Sequence, residues 1–294
     1  MSVSYRLISH QGPTISSIMR LALSRRGRGD PAELIKRQQT LVIPPRPDAL
    51  IDAYLDHLGI PRERYAETVP AHLFAQWGFA PMIQAIQGAP YNLRSALNGG
   101  CRLEVNGPIP RNEPLTIQAR LVEIDDNGRR ALLRIEIITG TASSPDAVRA
   151  EPYLIIPLPS TEKRERERPT VHAEAALVDE WTLPANAGRE FAVLTGDINP
   201  IHSLLPFARL AGFKGCILHG FSSFARSAES LIAQRAGGVP EALQLIEAKF
   251  TKAIVLPNTI SLFSEPENHF SVGHGAGEAA FVTGTFQLHN ESNS

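Results

Sequence analysis

The residues of this chain whose types and spacing could do chemistry lie in the stretch Phe191-Ala-Val-Leu-Thr-Gly-Asp-Ile-Asn-Pro-Ile-His202. Its polar groups are Asp197, Asn199 and His202. A residue before proline leaves the helical region, so Asn199-Pro200 predicts a bend with Asp197 and His202 on either side, pointing at one place. A carboxylate beside an imidazole is a general acid–base pair. The carboxylate can hold a water and favour a protonated imidazole nearby, and histidine titrates near the working pH. A second group of interest is Ile217-Leu-His219-Gly220, directly before a long helical pattern. The first N–H groups of a helix lack internal partners and sit in a positive potential, and Gly220 has no side chain to block a ligand atom. That is a recipe for holding an oxygen on which negative charge develops.

Several elements must position these groups. In the second half, residues 189–194 predict a short helix and 206–211 another. Residues 221–236 predict a long helix, with Phe221, Phe224, Ala228, Leu231 and Ile232 on one face and Gly237-Gly238-Val-Pro240 as its stop. Strands follow at 243–253, 259–265, 269–274 and 279–289. The first half has the same plan. Leu73, Phe74, Trp77, Ile83 and Ile86 recur at helical spacing over 70–86, and strands follow at 101–105, 115–124, 131–139 and 147–157. Leu115, Ile117, Ala119 and Leu121 alternate, and Asp126-Asn127-Gly128 signals a hairpin. A sheet with one apolar face must cover it, and a helix laid along that face does so. The expected fold class is α+β, repeated twice. Between the halves, residues 161–169 alternate in charge with no apolar residue, which predicts a solvated, protease-sensitive linker. The expected organisation is an N-terminal extension at 1–45, a first module at 46–160, the linker, and a second module at 170–294 that carries the chemistry.

Composition narrows the function. Of 294 residues, 43% are hydrophobic and 20% charged, an ordinary globular balance, and the net charge is −1. Such a chain is not built to hold polyanions over a wide surface, so no nucleic-acid partner is expected. No apolar run is long enough to span a membrane. Cys101 and Cys216, far apart, form neither a disulfide framework nor a zinc set, which agrees with a cytoplasmic location. Arg6, Arg20, Arg25, Arg26 and Arg28 precede the first acid, Asp30. We read them as a solvated basic extension; organelle targeting is the alternative.

The stretch Thr195-Gly-Asp-Ile-Asn-Pro-Ile-His202, followed by Ala-Gly-Phe and by Ile-Leu-His-Gly, resembles the hydratase motif of the MaoC-like family, which includes (R)-specific enoyl-CoA hydratases. The likeness is strong over 189–224. Lys249-Phe250 and Leu256-Pro257 resemble the family's strand after the helix, although Asn258 stands where glycine is usual and Leu204 where an acid is frequent. The resemblance implies a double hotdog: two long central helices, each wrapped by an antiparallel sheet. It implies that Asp197 and His202 activate one water, that Asn199 orients them, and that the Gly220 amide holds a thioester oxygen, with His219 beside it. The reaction would interconvert trans-2-enoyl and (3R)-3-hydroxyacyl thioesters, with an acyl-CoA or acyl-carrier-protein thioester as substrate and no cofactor. Val69-Pro-Ala-His72 through Trp77, then Gly-Gly-Cys-Arg, resembles the first, non-catalytic and acyl-binding hotdog of two-module dehydratases. A homodimer or a pseudo-dimeric monomer is expected.

Plainer readings stand beside these. Asp-x-Asn-Pro could be a turn alone. His219 could be a third catalytic group, a ligand contact or a cap residue, and we favour the structural role. Asp197, His202 and His219 could ligate a metal, but the spacing carries no metal signature. His72 reads as a packed residue, Phe74, Trp77 and Phe79 as core, and Cys216 as buried and inert. The competing functions are a non-catalytic acyl-thioester-binding subunit and a hotdog thioesterase.

Overall fold

The computed structural model describes residues 3–23, 27–159 and 168–289. Helices α1 (Gly12–Leu23) and α2 (Pro31–Ile35) come first. The first half then runs β1 (Gln38–Ile43), α3 (Asp48–Leu58), a 3-10 turn (Arg62–Tyr65), and a second 3-10 turn (Ala71–Phe74) that continues into α4 (Ala75–Ile86). Strands β2 (Leu97–Val105), β3 (Leu115–Asp126), β4 (Arg130–Gly140) and β5 (Val148–Pro157) complete it. The second half repeats the order: β6 (Ala176–Leu183), α5 (Ala187–Thr195), a 3-10 turn (Pro200–His202), α6 (Leu205–Leu210) and α7 (Gly220–Arg235). Strands β7 (Leu243–Phe250), β8 (Asn258–Glu265), β9 (His269–Gly273) and β10 (Val282–Leu288) follow.

All ten strands form one antiparallel sheet in the order β1-β3-β4-β5-β2-β7-β10-β9-β8-β6. Each half supplies five strands, and the order of one half mirrors that of the other about the β2–β7 pair. There Gly100–Glu104 run against Lys249–Leu245. The sheet curls round α4 and α7, and this makes both helices more buried than one apolar stripe would require. Along α7 the serines Ser222, Ser223, Ser227 and Ser230 are buried with Phe221, Phe224, Leu231 and Ile232. Small side chains let the backbone approach the sheet, and three of the four hydroxyls bond nearby, while Ser222 Oγ is buried with no partner among the described residues. Ser223 Oγ donates to the Gly220 carbonyl at 2.7 Å, Ser227 Oγ to the Ser223 carbonyl at 2.9 Å, and Ser230 Oγ to Asp179 at 2.6 Å. The sequence pattern exposes only the large apolar face of this helix, because a serine reads as polar wherever it ends up.

The N-terminal segment departs from its expected solvated character. Its described arginines, Arg6, Arg20 and Arg28, are exposed, but Leu7, Gln11, Thr14 and Ser17 are buried. The Gln11 carboxamide donates to the carbonyls of Val193 and Leu194 (3.3 and 2.8 Å) and accepts from Gln76 Nε2 at 2.8 Å. Residues placed above in the extension also supply β1, which pairs with β3 at the edge of the sheet. The charged linker lies outside the described residues except for its last two positions. Cys101 is buried, but Cys216 is only half-buried.

The halves are also joined by a buried polar cluster. Glu229 on α7 accepts from His72 Nε2 and from Arg64, both at 2.7 Å, and from the Tyr65 hydroxyl. The Tyr54 hydroxyl meets His72 Nδ1 at 2.9 Å. His72 is thus packed, as expected, but it is packed as part of a network. Burial alone would raise the pKa of Glu229; the bonds from His72, Tyr65 and Arg64 outweigh it and hold the carboxyl below its usual range. Removing one member leaves its partners unpaired in the interior. Glu229→Ala is expected to lower stability by about 3–5 kcal/mol, read from denaturant melts, whereas Glu229→Gln, which retains an acceptor, should cost less.

Candidate active site

Helix α5 ends at Gly196, whose left-handed backbone (φ 81°) turns the chain sharply into Asp197. The loop that follows is held by its own side chains. The Asn199 N–H donates to Asp197 Oδ1 at 3.4 Å, and Asn199 Oδ1 accepts from the Ile201 N–H at 3.3 Å. Asn199 itself is exposed, so it sets the bend and does not reach into the site. His202 closes the turn with its ring buried. His202 Nδ1 lies 2.8 Å from the Ile217 carbonyl, a group that can only accept, so Nδ1 carries the proton and Nε2 is the free acceptor.

His219 stacks on His202, with centroids 3.6 Å apart and planes at 23°. Its Nε2–H donates to the Asp197 carbonyl at 3.0 Å, and Phe191 packs on its other side at 5.0 Å. Nδ1 of His219 is buried without a partner among the described residues. Burial, then the neighbouring His202, pushes the pKa of His219 well down, so this ring is neutral. Its 3.9 Å approach to Asp197 Oδ2 is therefore no ion pair. Asp197 keeps 17% of its side chain exposed. Burial raises its pKa, against the opposing pull of His202 and the Asn199 N–H.

The ligand-type atoms of Asp197, His202 and His219 all lie within 4.8 Å of one another. Two near-parallel stacked rings do not aim their nitrogens at a common point, and His219 Nε2 is already engaged by the Asp197 carbonyl. The arrangement suits proton transfer better than tetrahedral coordination.

Gly220 opens α7 beside this group, and its N–H has no acceptor among the described residues. A Cβ on Gly220 would meet the Phe250 ring at 2.5 Å, so only glycine fits under that ring. The structure thus brings the side chains of Asp197, His202 and His219 together, with Gly220 next in sequence to His219 and Asn199 exposed. Sequence reasoning missed Phe191 and Phe250, the two rings that pack on His219 and over Gly220. Both were named in the sequence only as parts of longer stretches, and nothing in their spacing sets them apart.

Two five-stranded halves, each laid round one long helix, define a double hotdog fold, and Asp197 and His202 lie together in the second half. Residues 162–278 match the family described as MaoC like domain. The chain is 27% identical over 185 residues to mouse peroxisomal multifunctional enzyme type 2, covering 60% of this chain and 24% of that one. It is 28% identical over 184 residues to 3-hydroxyacyl-thioester dehydratase Y of Mycobacterium tuberculosis, covering 58% and 62%. It therefore spans less than two thirds of the length of these curated relatives. The crystal structure of a MaoC-like dehydratase from Phytophthora capsici superposes with a TM-score of 0.72 at 18% identity, over 88% of this chain and 99% of that one. A Mycobacterium tuberculosis protein described as having a double hotdog fold superposes at 0.54 and 13% identity, over 88% and 98%.

Two outcomes are expected from this geometry. Gly220→Ala should cost about 1–3 kcal/mol in a melting experiment because Phe250 must move, and Phe250→Leu in the same chain should restore most of the loss. The second outcome concerns pH. The folded pKa of His219 is depressed below the roughly 6.5 of a free imidazole, so protonation favours the unfolded chain. The stability owed to this group is full above that value and is lost as pH falls below it. His219→Phe, which retains a flat ring, should show a smaller drop in melting temperature between neutral and acid pH than the parent.

Proposed function

We propose that this protein is a hydro-lyase that interconverts trans-2-enoyl and (3R)-3-hydroxyacyl thioesters. The observation that carries the reading is that Asp197 and His202 have ligand-type side-chain atoms within 4.8 Å of one another and of His219, the residue before Gly220, whose N–H has no acceptor among the described residues. One water held between carboxylate and imidazole gives up a proton to the pair as its oxygen bonds to C3 of the enoyl group. The pair returns a proton at C2, so water adds across the double bond and the protein is unchanged. Charge that moves onto the thioester oxygen is met by the Gly220 N–H at the positive end of α7. A carboxyl whose pKa is raised by burial is suited to receiving and returning a proton near neutral pH. The stacked, neutral His219 fixes the plane of His202 and the backbone of Asp197, so its role is positional.

The relative named 3-hydroxyacyl-thioester dehydratase Y supports this reading. We assign the chemistry to the second half and acyl binding to the first. Phe74 and Phe79 of the first half meet Phe221 edge-on at 5.3 and 5.9 Å, next to Gly220, and give an acyl chain an apolar surface to follow.

The test is the loss of enoyl absorbance when crotonyl-CoA is mixed with the protein. Asp197→Asn and His202→Ala should each lower the rate by about a hundredfold to ten-thousandfold with nearly unchanged melting curves. The double variant should be little worse than the worse single one, because both groups act on one water. Near-normal rates in both single variants, or release of free CoA without loss of the parent acyl chain's unsaturation, would remove the hydratase reading.

A further inference from the structure

The mirrored sheet order implies that the catalytic spot has a counterpart in the first half, and the backbone locates it. Helices α3 and α5 both end on a left-handed glycine, Gly59 (φ 75°) and Gly196 (φ 81°). Counting on from these, Ile60 stands where Asp197 stands, and Tyr65, closing the 3-10 turn Arg62–Tyr65, stands where His202 closes Pro200–His202. The chain then makes the same cross-strand contacts in both halves. Val69 N–H donates to the Ile109 carbonyl and Leu218 N–H to the Ile254 carbonyl, each at 2.8 Å. Two residues later the long helices begin, with Pro70 (φ −57°, ψ 128°) and His219 (φ −66°, ψ 140°) in matching cap conformations. Ala71 therefore takes the place of Gly220, and its N–H also lacks an acceptor among the described residues.

A cavity of about 260 Å³ opens at this counterpart, lined by Tyr65, Val69, Ala71, Val105, Ile232 and Leu243 among others. The reason it is open is visible in the strands. Phe250 ends β7 and lays its ring over Gly220; Val105 ends β2 at the matching position and is too small to do the same. The cavity is separate from the catalytic spot, since Ile232 lies about 18 Å along α7 from Gly220 at 1.5 Å per residue. Its volume is below the roughly 300–1,000 Å³ of pockets that enclose a whole drug-sized ligand, so it suits a tail with the rest of the molecule outside.

We propose that this cavity is a second acyl-thioester site, which holds the acyl chain among Val69, Val105 and Ile232 and the thioester oxygen at the Ala71 N–H, and does no chemistry. The choice of ligand class rests on the hydro-lyase reading of the related site. Water is not activated here because Ile60 supplies no carboxylate, and the Tyr65 hydroxyl and His72 are both committed to Glu229. The occupant modulates or stores acyl groups without consuming them.

Titration calorimetry of the full chain with octanoyl-CoA, which has no double bond to hydrate, tests this. Two binding events per chain are expected. Val105→Phe copies the arrangement of Phe250 and should remove one event while leaving the crotonyl-CoA hydration rate unchanged. Thr68→Phe, at the cavity rim, is the second variant, and both are read only where the melting transition matches the parent. A single event that persists in these variants, or two events that both persist, overturns the proposal. A single event that Val105→Phe abolishes and His202→Ala leaves intact would uphold the second site and count against the hydro-lyase reading, so the two failures are distinguishable.

Discussion

Pairing of β2 with β7 is the constraint on which the rest of this structure depends. Five strands curled round one helix leave an open edge, and an open edge of unpaired N–H and C=O groups is a liability in water. Joining the halves through Gly100–Glu104 and Leu245–Lys249 satisfies both inner edges at once. It also brings α4 and α7 into one interior, where α7 can be buried on nearly every side. The cross-module cluster on Glu229 and the contact of Phe74 with Phe221 exist only because the two helices share that interior.

Much of the second half was legible in the sequence. The loop from Asp197 to His202 announces itself because proline and asparagine act locally, and the amides at Gly220 follow from the position of a helix start. The alternation of Leu115, Ile117, Ala119 and Leu121 is the burial pattern that β3 shows. Other elements were hidden for identifiable reasons. Strand β6 carries Asp179 and Glu180 and lies at an edge, so it lacks the apolar alternation of a covered strand. Strand β1 is mostly exposed for the same reason. Helix α3 buries Leu50, Ile51, Tyr54 and Leu55 but was overlooked beside the stronger pattern at 70–86. The buried face of α1 is made of Gln11, Thr14 and Ser17, whose polarity disguises it until their hydrogen-bond partners are known.

The polar groups of the interior divide into two kinds. Around Glu229 every bond strengthens a charge, and burial is offset by three donors. Around His202 burial is not outweighed: it keeps His219 neutral and raises the pKa of Asp197. The first arrangement resists change in protonation and gives the halves a fixed relation. The second favours the uncharged forms of His219 and Asp197. Two copies of one backbone plan have thus come to hold opposite electrostatics, with Tyr65 and Ile60 where the other half has His202 and Asp197.

The bonds from Gln11 to Val193 and Leu194 give the beginning of the chain a hold on the loop that carries Asp197, across 183 positions of sequence. Those two carbonyls belong to the last turn of α5, where no helical N–H reaches them. The side chain of Gln11 therefore acts as a latch on the turn that leads into Asp197, and Thr14 and Gln11 press against Gly196 at the turn itself. Displacing Gln11 and Thr14 would remove these contacts from the turn before Asp197 without touching Asp197 or His202. A chain shortened there would retain Asp197, His202 and His219 and lose the side chains that brace the turn between α5 and Asp197.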